Sequence, residues 1–221
     1  MEKRHDTPAP SGKDGTDRRQ LRRQKTLEEI LQIAVEVMTE EGVAALRLSE
    51  VARRMGIQPP SLYKYFPSKL AVYDALFQRG WERTLVAFQQ AAKEAAPGLP
   101  ALTAGCAAVG RLALEAPVLM QLTSWRTVPG FEPSPAAYAP SVAFQSEVSR
   151  VVQEAAHLGQ LHPDAASEEG GAILSVLFAG VITQQMANDP AARFGEGRFT
   201  RLLPTLLTMF ARTYPSEGDP P

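Results

Sequence analysis

Between Leu48 and Lys69 the chain reads LSEVARRMGIQPPSLYKYFPSK, and four residues in it dictate where regular structure stops. Gly56 reaches positive φ at little cost, so it ends one short helix and opens a tight turn. Pro59 and Pro60 fit only the first turn of the next helix, where N–H groups lack intrahelical partners. Pro67 stops that helix in turn. The spacing predicts a helix over 48–55 and another over 59–66, each too short to stand alone. Two such helices nest only if a small residue sits where they cross. Ala52 is that residue, four positions before Gly56. Val51, Met55, Ile57 and Leu62 then fall where side chains fill the wedge, and Phe66 extends the same apolar face. This is the pattern of a helix-turn-helix.

The outward face of the second helix carries Ser61, Tyr63, Lys64 and Tyr65, with Gln58 at its mouth. These hydroxyls, rings and amines are groups that meet phosphates, sugars and base edges in a major groove. The paired prolines remove two backbone donors, so the helix entry is expected to meet DNA by shape and apolar contact. Lys69 opens the following long helix, where the helix dipole opposes a cation. A phosphate lying against that helix start would reverse the sign, held by backbone N–H groups and the ammonium together. A solvated surface lysine is the alternative for Lys69. Tyr63 and Tyr65 read either as DNA-facing rings or as half-buried supports for the long helix.

The rest of the chain also reads as helix. Thr26 is expected to cap a first helix in which Leu27, Ile30, Leu31, Ala34, Val35, Val37 and Met38 recur at helical spacing and Gly42 marks the end. Ser68 is expected to cap a long helix over 69–95, followed by a boundary at PGLP. Further helices are expected over 99–114, 117–126, 140–157, 165–188 and 197–214, with Pro204 kinking the last or delaying its start. No alternating run is long enough for a sheet. The fold class is all-α.

Charge divides along the chain. Residues 1–95 hold 16 Lys/Arg and 13 Asp/Glu, a balance of +3, and residues 96–221 hold 7 and 11, a balance of −4. Only the front half suits a polyanion. Residues 1–20, rich in Pro, Gly, Ser, Thr and charge, read as a disordered tail without the apolar run of a signal peptide. A basic lead-in follows, in which Arg18, Arg19, Arg22, Arg23 and Lys25 add nonspecific attraction to DNA. The single cysteine, Cys106, lies among small apolar residues and reads as a core position rather than a redox sensor; the lack of a disulfide framework fits a cytoplasmic location. The longest uncharged stretch, 170–188, has an apolar heart of about a dozen residues, short of the roughly 20 that a span needs. It reads as a buried helix, with no membrane partner.

Residues 24–70 resemble the DNA-binding region of the TetR family of bacterial transcriptional regulators. Val51-Ala52, Gly56, Leu62-Tyr63, Tyr65-Phe66 and Lys69 match that family's pattern. The resemblance implies an N-terminal three-helix DNA-binding domain over 21–68, joined by a long helix to a helical ligand-binding and dimerisation domain over 69–221. It implies that the positions held by Gln58, Pro60, Ser61, Tyr63, Tyr65 and Lys69 approach DNA, mostly its backbone. Family members usually place Thr or Ser where Arg47 stands. Arg47 cannot cap in that way but can reach a phosphate, and Ser49 is the nearest hydroxyl.

The resemblance also implies a ligand cavity and pairing of the last two long helices with those of a second chain. The helix over 165–188 is apolar almost all round, which fits a homodimer on a palindromic operator; a wholly intrachain core is the alternative. Candidates for the cavity wall are Trp81, Phe88, Met120, Leu122, Trp125, Tyr138, Phe144, His157 and Phe178, which suit an apolar or aromatic effector. His157 and His162 are poorly spaced for a metal, and no catalytic signature or cofactor loop is present. The expectation is a non-enzymatic, cofactor-free regulator, most simply a repressor released from double-stranded operator DNA by a small molecule. Two other readings stay open: an interaction module with constitutive or partner-controlled DNA binding, and a helical-bundle binding protein or enzyme whose helix-turn-helix merely packs.

Overall fold

The computed structural model describes residues 13–216, and every regular element among them is helical. The α-helices are α1 (Lys13–Glu41), α2 (Leu48–Arg54), α3 (Pro59–Leu62), α4 (Lys69–Glu94), α5 (Leu99–Glu115), α6 (Pro117–Ser124), α7 (Pro135–His157), α8 (Glu168–Asn188) and α9 (Leu203–Thr213). Short 3-10 turns precede α2, α8 and α9. The chain divides into two compact units, Met1–Val72 and Tyr73–Pro221.

In the first unit, Ile30, Ala34, Val37 and Met38 of α1 are fully buried. Their spacing places them on one helix face. That face packs on α2, which packs on α3, and Val43, Leu46, Val51, Leu62 and Phe66 complete the core.

The N-terminal expectations need two corrections. Residues 1–12 of the expected disordered tail lie outside the described residues, but from Lys13 the backbone is helical. Thr26 is not a cap; it sits inside α1 and donates its hydroxyl to the Arg22 carbonyl at 3.0 Å. Arg, Gln and Leu between residues 18 and 25 are strong helix formers, and they extend a helix already nucleated by its buried half.

The second unit is built around α5, which packs against α6, α7, α8 and α9. Phe88, Leu102, Val109, Val151, Leu161, Leu174, Leu207 and Phe210 form its main core. The start of α7 is five residues earlier than expected, because Ser134 caps it by accepting the Ala137 N–H at 3.2 Å. The same serine donates its N–H and its hydroxyl to the two carboxylate oxygens of Asp74, each at 2.7 Å, and so fastens the helix start to α4. Pro140 is carried inside the helix rather than opening it. Ser167 caps α8 by accepting the Gly170 N–H, with Glu168 and Glu169 favourably placed in the first turn. Pro204 delays α9, which begins at Leu203 after a 3-10 turn.

The expected burial of the 165–188 helix is corrected too. Leu174, Val181, Ile182 and Gln185 of α8 are buried, but only 28% of its apolar window is covered within the chain. Val176 is 71% exposed. By length and composition alone α8 could cross a membrane. The reason for its exposure is a shortage of partners: neighbours within the chain cover one side of a helix that is apolar on both.

Candidate nucleic-acid interface and internal cavity

The corner between α2 and α3 is built by backbone hydrogen bonds. The Gly56 N–H donates to the Arg53 carbonyl at 3.1 Å and the Ile57 N–H to the Ala52 carbonyl at 3.0 Å, with Gly56 at φ +67°. This pair of bonds around a left-handed glycine is a Schellman motif. Pro59 and Pro60 then occupy the first helical positions. The α3 helix is shorter than expected, ending at Leu62. Tyr63, Lys64 and Tyr65 lie in a tightened turn in which the Tyr65 N–H donates to the Leu62 carbonyl at 2.9 Å. Leu62 and Phe66 are buried beneath this turn.

The candidate DNA-facing residues share this corner. Gln58, Pro60, Tyr63, Lys64 and Lys69 are exposed, and Ser61 and Tyr65 are half-buried. Tyr63 is 51% exposed, and Tyr65 is covered to the degree that either a DNA-facing ring or a half-buried support would show. Ser68 caps α4 by accepting the Ala71 N–H at 3.1 Å, which sets Lys69 at the first helical position. Tyr65 carries a contact that sequence reasoning missed. The Arg23 guanidinium lies over its ring, 5.3 Å from the centroid. The two are 42 positions apart, and no local pattern links them.

Arginines beside the corner are matched by acids. Arg54 bonds the Glu40 carboxylate at 2.6 Å and Glu50 at 2.8 Å, which ties α2 to α1. Arg53 grips Glu50 with two bonds of 2.8 Å. These two guanidiniums hold the Glu50 carboxyl down to about 2. Arg47 stands before α2 without a capping bond, and its guanidinium engages Glu41 at 2.5 Å. A phosphate contact there would exchange one anionic partner for another. Ser49 is exposed in the first turn of α2.

The second unit contains a cavity of about 680 Å³. Its walls come from α4, α5, α6, α7 and α8 and include Trp81, Phe88, Val109, Leu112, Met120, Phe144, Val148, Val152 and Phe178. Trp81 and Phe88 both meet Phe144, with ring centroids 5.5 and 5.6 Å apart. The Trp81 indole N–H is buried without a protein partner. Cys106 also borders the space, and burial pushes its thiol up to about 12. Arg83 and Glu168 are the charged side chains on the wall, and both are largely solvent-facing.

Five of the nine expected wall residues are thus on the cavity: Trp81, Phe88, Met120, Phe144 and Phe178. Four are elsewhere. Leu122 is buried on another face of α6, and Trp125 lies exposed just past that helix. Tyr138 stacks on Phe77 at 6.3 Å in the first turn of α7, and His157 is exposed at that helix's last turn. Apolar character alone did not separate the faces of these helices. The missed wall residues Val148 and Val152 follow Phe144 at intervals of four, a stripe visible in the sequence once α7 is known to be one helix.

Residues 30–76 match the family described as bacterial regulatory proteins, tetR family. The match takes in 47 of the 221 residues and assigns the helix-turn-helix region to the TetR type. The chain is 36% identical over 63 residues to the HTH-type transcriptional activator FasR of Mycolicibacterium smegmatis, a match covering 28% of this chain and 29% of FasR. The alignment therefore spans under a third of that relative's length. Among solved structures, a Rhodococcus sp. RHA1 protein of unknown function superposes with a TM-score of 0.72 at 24% identity, covering 86% of this chain and 95% of that one. A TetR family transcription regulator from Marinobacter aquaeolei VT8 superposes with a TM-score of 0.67 at 14% identity, covering 90% of this chain and all of the other (100%). At these identities the likeness establishes the fold. The shared fold, an N-terminal helix-turn-helix followed by a helical domain, runs over nearly the whole chain.

Proposed function

We propose that this protein is a cytoplasmic, ligand-responsive transcriptional regulator of the TetR type. It binds double-stranded operator DNA through Gln58–Lys69 as a homodimer and, as a repressor, is released by a small apolar or aromatic effector. The observation that carries the reading is the corner itself. The Ala52–Gly56 turn sets Gln58, Pro60, Tyr63, Lys64 and Lys69 outward on a face with no core role. A domain over 21–68 would read DNA, and 69–221 would bind effector and dimerise. Two copies would meet two half-sites about 34–36 Å apart.

The exposed stripe of Ala172, Val176, Ala179 and Gly180 on α8, with Met209 on α9 and Leu202 in the turn before it, supports pairing with a second copy. These side chains are small or apolar and would otherwise stay in water. The cavity, with apolar walls and charge only at Arg83 and Glu168, supports an uncharged, largely apolar effector. To cause release, that effector must bind the non-DNA-binding geometry more tightly than the other.

The test is a salt titration of DNA binding. Affinity should fall steeply with salt, and Lys69→Ala should lower the logarithmic slope by about 1 per half-site. Binding that is indifferent to salt would reject the reading in favour of a helical bundle. Adding small apolar aromatics to the complex should raise the dissociation constant for DNA in the wild type, and less so in Phe144→Ala.

A further inference from the structure

We propose that the first turns of α1 form a second duplex-gripping surface, a cationic helical arm that lies along backbone phosphates beside the segment met by α3. The proposal rests on the DNA-binding reading above and deepens it. Buried residues of α1 begin only at Ile30, and every residue from Asp17 to Lys25 is exposed. This stretch therefore has no part in the core. At about 100° per residue, Arg18, Arg19, Arg22, Arg23 and Lys25 fall within an arc of about 160°. Asp17, Gln20, Leu21 and Gln24 take the opposite side.

Like charges three and four residues apart disfavour an isolated helix. Gathering them on one arc makes sense against a polyanion. One edge of the arc is fixed by Arg23, whose guanidinium lies over the Tyr65 ring, so that edge borders the turn that carries Tyr63, Lys64 and Tyr65, and Arg19 stands next to it at about 40°. From Arg18 to Lys25 the helix rises about 10 Å, at about 1.5 Å per residue. That length matches about three base-pair steps of the duplex axis at about 3.4 Å each, enough for the arm to meet one or two phosphates of a strand. Glu29, the next acid along the arc, comes one turn later, where the helix passes into the core. The sequence suggested diffuse attraction; the helix turns it into a surface with a face and a length.

The experiment separates a directed face from net charge. Binding to a mixed-sequence duplex is followed by fluorescence anisotropy over a range of salt, with the wild type and two variants. The first is Arg19→Gln with Arg22→Gln. The second adds Gln20→Arg and Gln24→Arg, which restores the composition and net charge but turns the cations to the far side. Arg and Gln have similar helix propensity, so α1 is retained in both. Removing one arginine–phosphate pair should lower the slope by about 0.9, so both variants should fall by nearly 2 per arm. A wild-type slope in the face-swapped variant would overturn the proposal, leaving net charge as the cause. An unchanged slope in both variants would show that the arm does not touch DNA, while the Lys69→Ala response stands independently. Absence of salt-dependent binding in the wild type would reject the arm and the DNA-binding reading together.

Discussion

Gly56 holds φ at +67°, and nothing lies within 4 Å of where a Cβ would stand. Its necessity is therefore conformational rather than steric. Gly56→Ala should cost about 1–2 kcal/mol, the left-handed penalty for an L-residue. Gly56→Asn should cost less, because Asn tolerates that region. Urea unfolding of the two variants against the wild type checks both the size and the order. Legibility at this scale was uneven. Ala52 and Gly56 were readable because a tight corner constrains neighbours in sequence. The Arg23–Tyr65 and Asp74–Ser134 contacts were not, since each joins residues dozens of positions apart.

At the scale of elements, helix existence followed from periodicity and helix limits followed from caps. Ser68 was recognisable as a cap because Pro67 precedes it. Ser134 was obscured by the prolines around it, and the earlier start of α7 depends on Asp74 from another helix. The entry to α9 rests on a single buried side chain. Gln185, at 0% exposure, accepts the N–H groups of Phe199 and Thr200 at 3.0 and 3.2 Å and donates to the Asp189 carbonyl. Gly197 packs so closely against it that a Cβ there would collide with the Gln185 amide. Gln185→Met keeps the volume and removes the acceptor, leaving two backbone donors unpaired. It should destabilise the second unit by about 2–6 kcal/mol, at about 1–3 kcal/mol for each buried unsatisfied group. Urea denaturation monitored by tryptophan fluorescence would register it, since Trp81 and Trp125 both lie in that unit.

For the whole molecule, the exposed face of α8 makes its own prediction. Val176→Asp places a charge on the proposed seam at a position 71% exposed in the single chain, so the fold of one copy should be unaffected. Sedimentation should then report a monomer. DNA affinity should fall by about 100-fold or more as the two half-sites lose their linkage. A dimer of unchanged mass would show that this face is not the seam. Breakers and periodicity in the sequence determined the all-α class, the helix-turn-helix corner and most helix positions, because those are set by φ preferences and by which residues recur on one face. Tertiary structure alone decided where α1 and α7 begin, which aromatics surround the cavity and which side of α8 stays bare. Those depend on how many neighbours a helix finds across space, a quantity that no local pattern carries.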